Sequence, residues 1–320
     1  MSTPISLIGL PYVFGRRDAS PRNAMALGPR ELLSHQTLLS ALSKGGCDLA
    51  VELIEDVDDP APDETAGYFD ANVAGLFAGD QMSRLQVQTA RLARAVRYAV
   101  SADRMPLVAN GGCTCALGMV AGLAAIGEIG MVWFDAHDDA ETPETSTSGL
   151  VEGMPVSMIA GRCWQAFCRQ IPGFEPIPAD RILTIGLHEK YEHKPDRGLK
   201  SPGSIVTPAI VESKGYDGAI IDALADLRTR CSKVYVHVDV DVLDPSVLKS
   251  SNHATEGGLS AEQLAYALDA IADSFEIVGL DFSSFDPTID PHGVHTLVPL
   301  LVHAASASTR SRIHRNHCPG

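Results

Sequence analysis

Two short stretches of this chain place hard oxygen donors directly after apolar runs. Residues 131–134 (MVWF) lead straight into Asp135-Ala136-His137-Asp138-Asp139. Residues 233–238 (KVYVHV) lead into Asp239-Val240-Asp241-Val242-Leu243-Asp244-Pro245. Asp135, His137 and Asp139 stand at alternate positions, as do Asp239 and Asp241, and alternate side chains of an extended backbone point the same way. Four carboxylates and one imidazole gathered in one pocket would repel one another without a cation. An oxygen-rich set with an imidazole suits Mn2+, Fe2+ or Zn2+ better than Ca2+. Paired ions sharing bridging carboxylates would activate a water as nucleophile. For either stretch alone, the competing reading is a set of caps and turn formers, and Asp244-Pro245 reads as a turn. Both stretches together, each closing an apolar run, favour one shared metal site.

Such a site needs strands that deliver both stretches to one edge of a sheet. The run 131–134 is short, apolar and rich in β-branched and aromatic side chains, as a buried strand is. In open α/β sheets ligands bind at the carboxyl ends of the strands. Further strands are expected at 5–10, 48–54, 105–109, 181–187, 233–238 and 276–282. Helical spacing or helix-start signals mark 28–33, 81–100, 153 onward, 220–230 and 296–307. A turn at 110–115 (NGGCTC) opens a helix through about 126, and Ser260 caps one reaching about 272. Asn110-Gly111-Gly112 could also cradle an anion at that helix start. Strands alternating with helices predict an α/β fold, a parallel sheet covered on both faces. No repeat or low-complexity linker interrupts it, so a single domain over 1–320 is expected.

Composition narrows the partners. Hydrophobic residues make up 45% of the 320, enough for a sizeable core, and no apolar run reaches the length of a membrane span. The apolar N-terminal stretch precedes the first basic residues, Arg16 and Arg17, so it does not have the form of a secretory leader. Seven widely spread cysteines, an odd count, fit reduced thiols and a cytoplasmic location. A net charge of -15 and an acidic, proline-containing loop at 56–65 argue against nucleic acid and anionic membranes as partners. A small-molecule substrate is expected.

DAHDD, the TPETSTSGLVEGMPVS that follows, and HVDVDVLDPS resemble the arginase/agmatinase/formiminoglutamase (ureohydrolase) superfamily. The resemblance covers most of the chain, from the GLP loop and the Gly28-Pro29 helix start to GLDFSSFDP at 279–287. It implies a three-layer αβα fold with a parallel, mostly eight-stranded sheet. It implies a two-manganese centre hydrolysing a guanidinium or amidine C–N bond, in a homo-oligomer, trimer or hexamer. The metal ligands it implies are Asp135, His137, Asp139, Asp239 and Asp241.

Departures from the family pattern cluster around the site. The sixth ligand is the histidine of a GGDHS motif; this chain has Gly111-Gly112-Cys113-Thr114-Cys115, with Thr114 at the histidine's place. Asp135, His137, Asp239 and Asp241 complete one metal position, while Asp135, Asp139 and Asp239 remain for the other. Glu152 replaces a proton-shuttling histidine, and His253 replaces a threonine. Glu141 and Leu150 replace asparagines that grip the amino-acid end of the substrate, whereas Ser148 is kept. Ser284 stands where a glutamate pairs with the guanidinium, with Asp286 two residues on. Asp139 would then orient the nucleophile, and Glu152 or His253 would move the proton. Ser148, Glu141 and Ser284 would contact substrate, and the changes argue against arginine itself. Cys113 and Cys115 read first as small packing residues; as ligands they would bias the centre toward Zn2+ or Fe2+. His237, inside a strand, reads as a satisfied core histidine. The alternative to an enzyme is an impaired family member with a binding or regulatory role.

Overall fold

A computed structural model describes residues 4–14, 24–44, 48–55, 81–188 and 201–316, with side chains through 312. Arg16, Arg17, the loop 56–65, Cys47 and Cys318 lie outside the described residues. Eight strands form one sheet: β1 (Ile5–Leu10), β2 (Leu49–Leu53), β3 (Met105–Asn110), β4 (Gly130–Phe134), β5 (Ile182–Ile185), β6 (Ser204–Val206), β7 (Lys233–Asp239) and β8 (Glu276–Ser283). Their order is β2-β1-β3-β8-β7-β4-β5-β6, and every pairing is parallel.

Side chains alternate between two hydrophobic cores, as the pleat requires. Leu7, Val132, Phe134 and Val236 face one core; Ile8, Met131, Trp133 and Tyr235 face the other. The first core is closed by α1 (Gly28–Ser34), α2 (Gln36–Ser43), α8 (Tyr216–Arg228), α9 (Ala261–Ser274) and α10 (Val294–Asn316). The second is closed chiefly by α3 (Gln81–Ser101) and α4 (Ala116–Leu123), with α5 (Pro155–Ile159) and α6 (Gln165–Cys168) beside them. The three layers follow from strands buried on both faces, which only a helix-covered parallel sheet supplies.

The expected elements are present with small shifts in their ends. The strand expected at 181–187 shortens to β5, and the helix expected from 153 begins with a 3-10 turn at Val151–Gly153 before α5. Ser260 caps α9 through a reciprocal pair with Gln263. β6, α2 and α7 (Pro208–Lys214) are additions to the expected set. No described helix is long and apolar enough to cross a membrane.

Topology positions the site. β3 and β4 follow one another along the chain, yet β8 and β7 stand between them in the sheet. The carboxyl ends of β3, β8, β7 and β4 therefore form four adjacent stations along one edge. At such a switch the connections diverge to opposite faces and leave a crevice.

Candidate metal centre

β4 stops at Phe134, and the chain then turns. Asp135 Oδ1 accepts from the His137 backbone N–H at 2.7 Å, which folds the imidazole back over its own neighbour's carboxylate. His137 Nδ1 stands 3.1 Å from Asp135 Oδ1 and 3.3 Å from Asp241 Oδ2. Asp139 takes a left-handed φ of 43°. β7 ends in the same manner. Asp239 is its last residue, and its Oδ1 accepts from Asp241 N at 2.9 Å within a 3-10 turn over Val240–Val242. The donors converge, but through turns after the strands rather than through the pleat itself.

β3 contributes a third strand end. Gly111 and Gly112 lead into a 3-10 turn at Cys113–Cys115. With three residues per turn, consecutive side chains leave in three directions. Cys113 Sγ donates to Asp239 Oδ2 at 2.7 Å and lies 3.4 Å from Ser283 Oγ. Thr114 Oγ1 donates to Glu152 Oε1 at 2.9 Å. Cys115 Sγ turns to the Tyr12 carbonyl, 3.7 Å away. Thr114, at the absent histidine's place, thus faces Glu152, and Cys113, one residue earlier, is the side chain that meets the carboxylates. Both cysteines are buried in the second core, as expected of packing residues, and Cys113 in addition lines the cleft.

Two donor groups result. Cys113, Asp135 and Asp239 bring ligand atoms within 4.8 Å of one another, and so do Asp135, His137 and Asp241. Asp135 belongs to both. Its Oδ2 accepts from Trp133 Nε1 at 3.0 Å, and the Trp133 ring stacks on His237 at 3.6 Å. His237 Nδ1 in turn lies 3.0 Å from Asp281, which also accepts from Tyr235 and Asn110. His237 is the satisfied core histidine expected, and it supports a ligand from below. Trp133 was legible as a partner: it precedes Asp135 by two residues, on the same side of the strand.

Glu152 closes the cleft from the loop between β4 and α5. Its carboxylate accepts from Phe14 N at 2.8 Å and from Thr114 N at 2.8 Å, besides the Thr114 hydroxyl. The anion cradle expected of Asn110-Gly111-Gly112 is not formed by those N–H groups: Gly112 N donates to Asn110 Oδ1, and Thr114 N, further along, meets Glu152. Gly112 is required by that approach, since a Cβ there would stand 2.7 Å from Glu152 Oε1.

The cleft has a volume of about 160 Å³. That is room for several waters, or for ions and a small polar head. Its floor is Cys113, Asp135, His137, Asp139, Asp239 and Asp241; Phe14, Met25 and Leu150 stand among its walls. Burial, with repulsion from Asp135 and Asp241, pushes the Asp139 and Asp239 carboxyls up, Asp239 to about 6. Asp241 and Glu152 are raised by burial as well. Burial opposes charge on His137, but the bonds and charges of Asp135 and Asp241 outweigh it and hold the imidazole protonated. Acids held against one another beside one imidazole are a donor set that a divalent cation would relieve, so the residues fit a metal ion.

The remaining expected residues divide. His253 and Ser284 line the cleft, His253 exposed at its mouth. Ser284, with a left-handed φ of 69°, donates to Asp239 Oδ2 at 2.6 Å and so faces a ligand. Ser148 is exposed and bonds Ser146 and the Leu150 N–H within its own loop. Glu141 bonds through its backbone to Gly153; neither it nor Ser148 is among the cleft-lining residues. Asp286 is buried, accepting from Ala24 N, Thr288 N and the Thr288 hydroxyl, and is a structural cap rather than a substrate anchor.

Comparison with known proteins agrees with this architecture. A family model described as "Arginase family" matches residues 3–306. The chain is 28% identical over 293 residues to an arginase from Bacillus caldovelox, covering 90% of this chain and 92% of that one. The crystal structure of the native B. caldovelox arginase superimposes with a TM-score of 0.76 at 25% identity, over 97% of this chain and 98% of that one. Formimidoylglutamase from Bacillus subtilis shares the fold at a TM-score of 0.69 and 17% identity, covering 95% and 87%.

Proposed function

The chain belongs to the arginase family, and from that premise we propose that it is a metal-dependent hydrolase cleaving a C–N bond of a guanidino- or amidino-like substrate other than arginine. The observation that carries the proposal is the pair of donor groups joined at Asp135 on the floor of one cleft. Asp135, His137, Asp139, Asp239 and Asp241 would hold one or two divalent ions, Mn2+ by family precedent. Such ions supply Lewis acidity that activates water as a nucleophile. Asp139, bent into the cleft by its left-handed backbone, would orient that water through its free oxygen. Glu152 would take and return the proton. Burial raises its carboxyl above the ordinary glutamate range, and two backbone N–H groups and a hydroxyl fix its position. His253, at the mouth, is the alternative proton carrier.

The walls support a substrate class. The floor is anionic, which suits a cationic head group. No Lys or Arg is among the described residues lining the cleft, and Phe14, Met25 and Leu150 offer apolar contact to the remainder of the substrate. A tail without a carboxylate fits these walls better than the amino-acid end of arginine. Ser284 would contact the head group; the substrate roles expected of Ser148 and Glu141 have no support from the cleft. A homo-oligomer remains the expected assembly.

The test is hydrolysis by purified protein reconstituted in turn with Mn2+, Fe2+, Ni2+ and Zn2+. Urea and ammonia release would be assayed from arginine, agmatine-like amines and neutral alkylguanidines. Turnover of a guanidine lacking the carboxylate, faster than that of arginine, is expected. Absence of turnover with every metal would overturn the proposal and leave the binding or regulatory role. That second reading draws on the absent histidine.

A further inference from the structure

We propose that Cys113 is a sulfur ligand of the metal centre, making the Cys113–Asp135–Asp239 side select Zn2+ or Fe2+ over Mn2+. The inference rests on reading the cleft as a metal centre, and it adds a ligand that the sequence pattern does not supply. Three observations support it.

The first is placement. Cys113 belongs to the second core, yet its Sγ also meets polar groups. It lies 2.7 Å from Asp239 Oδ2, 3.4 Å from Ser283 Oγ and 3.7 Å from Ser284 Oγ, and it lines the cleft. A thiol among the carboxylates of one cation site is positioned to join them on that cation, as the thiolate. The second is the internal contrast. Cys115, two residues on in the same turn, faces the Tyr12 carbonyl and the core. Had both positions served only to fill space, nothing would direct one of them at three polar groups. The third is the shared ligand. Asp135 joins Cys113 to the imidazole group, and the Trp133 indole fixes its outer oxygen.

The chemistry of ligation is simple. The S–H bond breaks, its proton leaves to solvent, and a sulfur–metal bond forms. Thiolate, a soft donor, ranks Zn2+ and Fe2+ above Mn2+, which prefers carboxylate and water. The two donor groups would then differ in metal preference although they share a carboxylate.

Cobalt(II) substitution reads the sulfur directly, whether or not any substrate is turned over. The wild-type protein loaded with Co2+ is expected to show a near-ultraviolet thiolate-to-cobalt charge-transfer band. Cys113→Ser should abolish it and weaken Zn2+ binding by roughly 100-fold. Cys115→Ala should leave the band in place. Cys113→His should bind Co2+ without the band and shift the ratio of bound Zn2+ to Mn2+ toward Mn2+. Co2+ bound by the wild type without that band would overturn the proposal, as would an unchanged band in Cys113→Ser. Hydrolysis assays on the same samples keep the outcomes separate: the band without turnover retains the ligand and removes the proposed function, and turnover without the band does the reverse.

Discussion

The two donor groups of the cleft meet at Asp135 but are assembled by different means. On the imidazole side, His137 and Asp135 are two residues apart, and one backbone hydrogen bond forms their turn. On the thiol side, Cys113 and Asp239 are 126 residues apart and meet only because β3 and β7 flank β8 in the sheet. The first group is local only in part: Asp135 and His137 share one motif, and Asp241 joins them from the end of β7, the strand beside β4. The second is a product of topology. The imidazole side also carries its own counter-charge, since His137 is held protonated by Asp135 and Asp241. The thiol side has no cation of its own among its members, so it depends more on a bound ion.

Asp135 is the point at which the comparison can be broken outright. Asp135→Asn removes a negative ligand from both groups. It also presents an amide to Trp133 Nε1, which donates to Oδ2 at 3.0 Å. Metal content should fall to near zero, and any turnover should drop more than about 1,000-fold, beyond the 10–100-fold expected from losing an outer partner. His137→Asn should be milder and remove only the ion of its own side. If Asp135→Asn kept a full complement of metal, the two groups would not be sharing that carboxylate.

What could be read from the sequence follows the same division. DAHDD and DVDVLDP are contiguous, and each closes an apolar strand, so the fold, the strand ends and five donors were legible. β1, β3, β4, β7 and β8 fall within a residue of expectation because fully buried parallel strands are continuous apolar runs. β6 was not legible: Ser204–Val206 is three residues long and partly exposed, flanked by Gly203 and Pro208. α10 runs past its expected limits at both ends and contains Pro299, which the expected helix also spanned. The sequence offered Cys113 both as packing and as a ligand; which side chain of the turn meets the carboxylates depends on the 3-10 geometry, where each residue turns by a third of a circle. Ser148 keeps the family residue and Glu141 replaces one, yet neither is among the residues that line the cleft.

Charge provides a second way to sharpen the comparison, through the pH dependence of stability in chelator. Asp239 is raised from 3.8 to about 6, so between those values the folded chain holds a proton that the unfolded chain has released. Stability must then fall as pH rises through that window, by up to about 3 kcal/mol for a two-unit shift. Asp139, Asp241 and Glu152 are raised too and act in the same sense. The raised imidazole of His137 gives its full contribution below its ordinary 6.5 and loses it at higher pH. Asp244, held at about 2 by Ser246 and Gly257, acts only below 3.8 and does not cancel the trend. The melting temperature of metal-free protein should therefore decline from pH 4.5 to 7.5, and excess divalent metal should remove the decline. Asp239→Asn should flatten the slope. A melting temperature in chelator that is level or rises over this range would contradict the charge arrangement.

The smallest expected effect concerns Thr114, the residue beside Cys113 that faces Glu152 rather than the carboxylate floor. Thr114→Val keeps the shape and the backbone N–H bond to Glu152 Oε2 but deletes the hydroxyl that donates to Oε1 at 2.9 Å. That hydroxyl favours the charged form of Glu152, so its loss must raise the Glu152 pKa further. A hydrogen bond to a charged group contributes about 1.5–3 kcal/mol, which corresponds to a rise of about one to two pH units. Phe14 N still bonds Oε1 and will hold the shift near the lower figure. Carbon-13 resonance of the Glu152 carboxyl would follow the titration without any substrate, and where turnover is found its acidic limb should move up by the same amount. Metal content and the cobalt spectrum should stay unchanged, because Thr114 belongs to neither donor group. A Glu152 titration that does not move on Thr114→Val would place the control of this carboxylate in burial alone. A change in the cobalt spectrum would mean instead that the 3-10 turn transmits strain from Thr114 to Cys113, and the two consecutive side chains could no longer be assigned separate tasks.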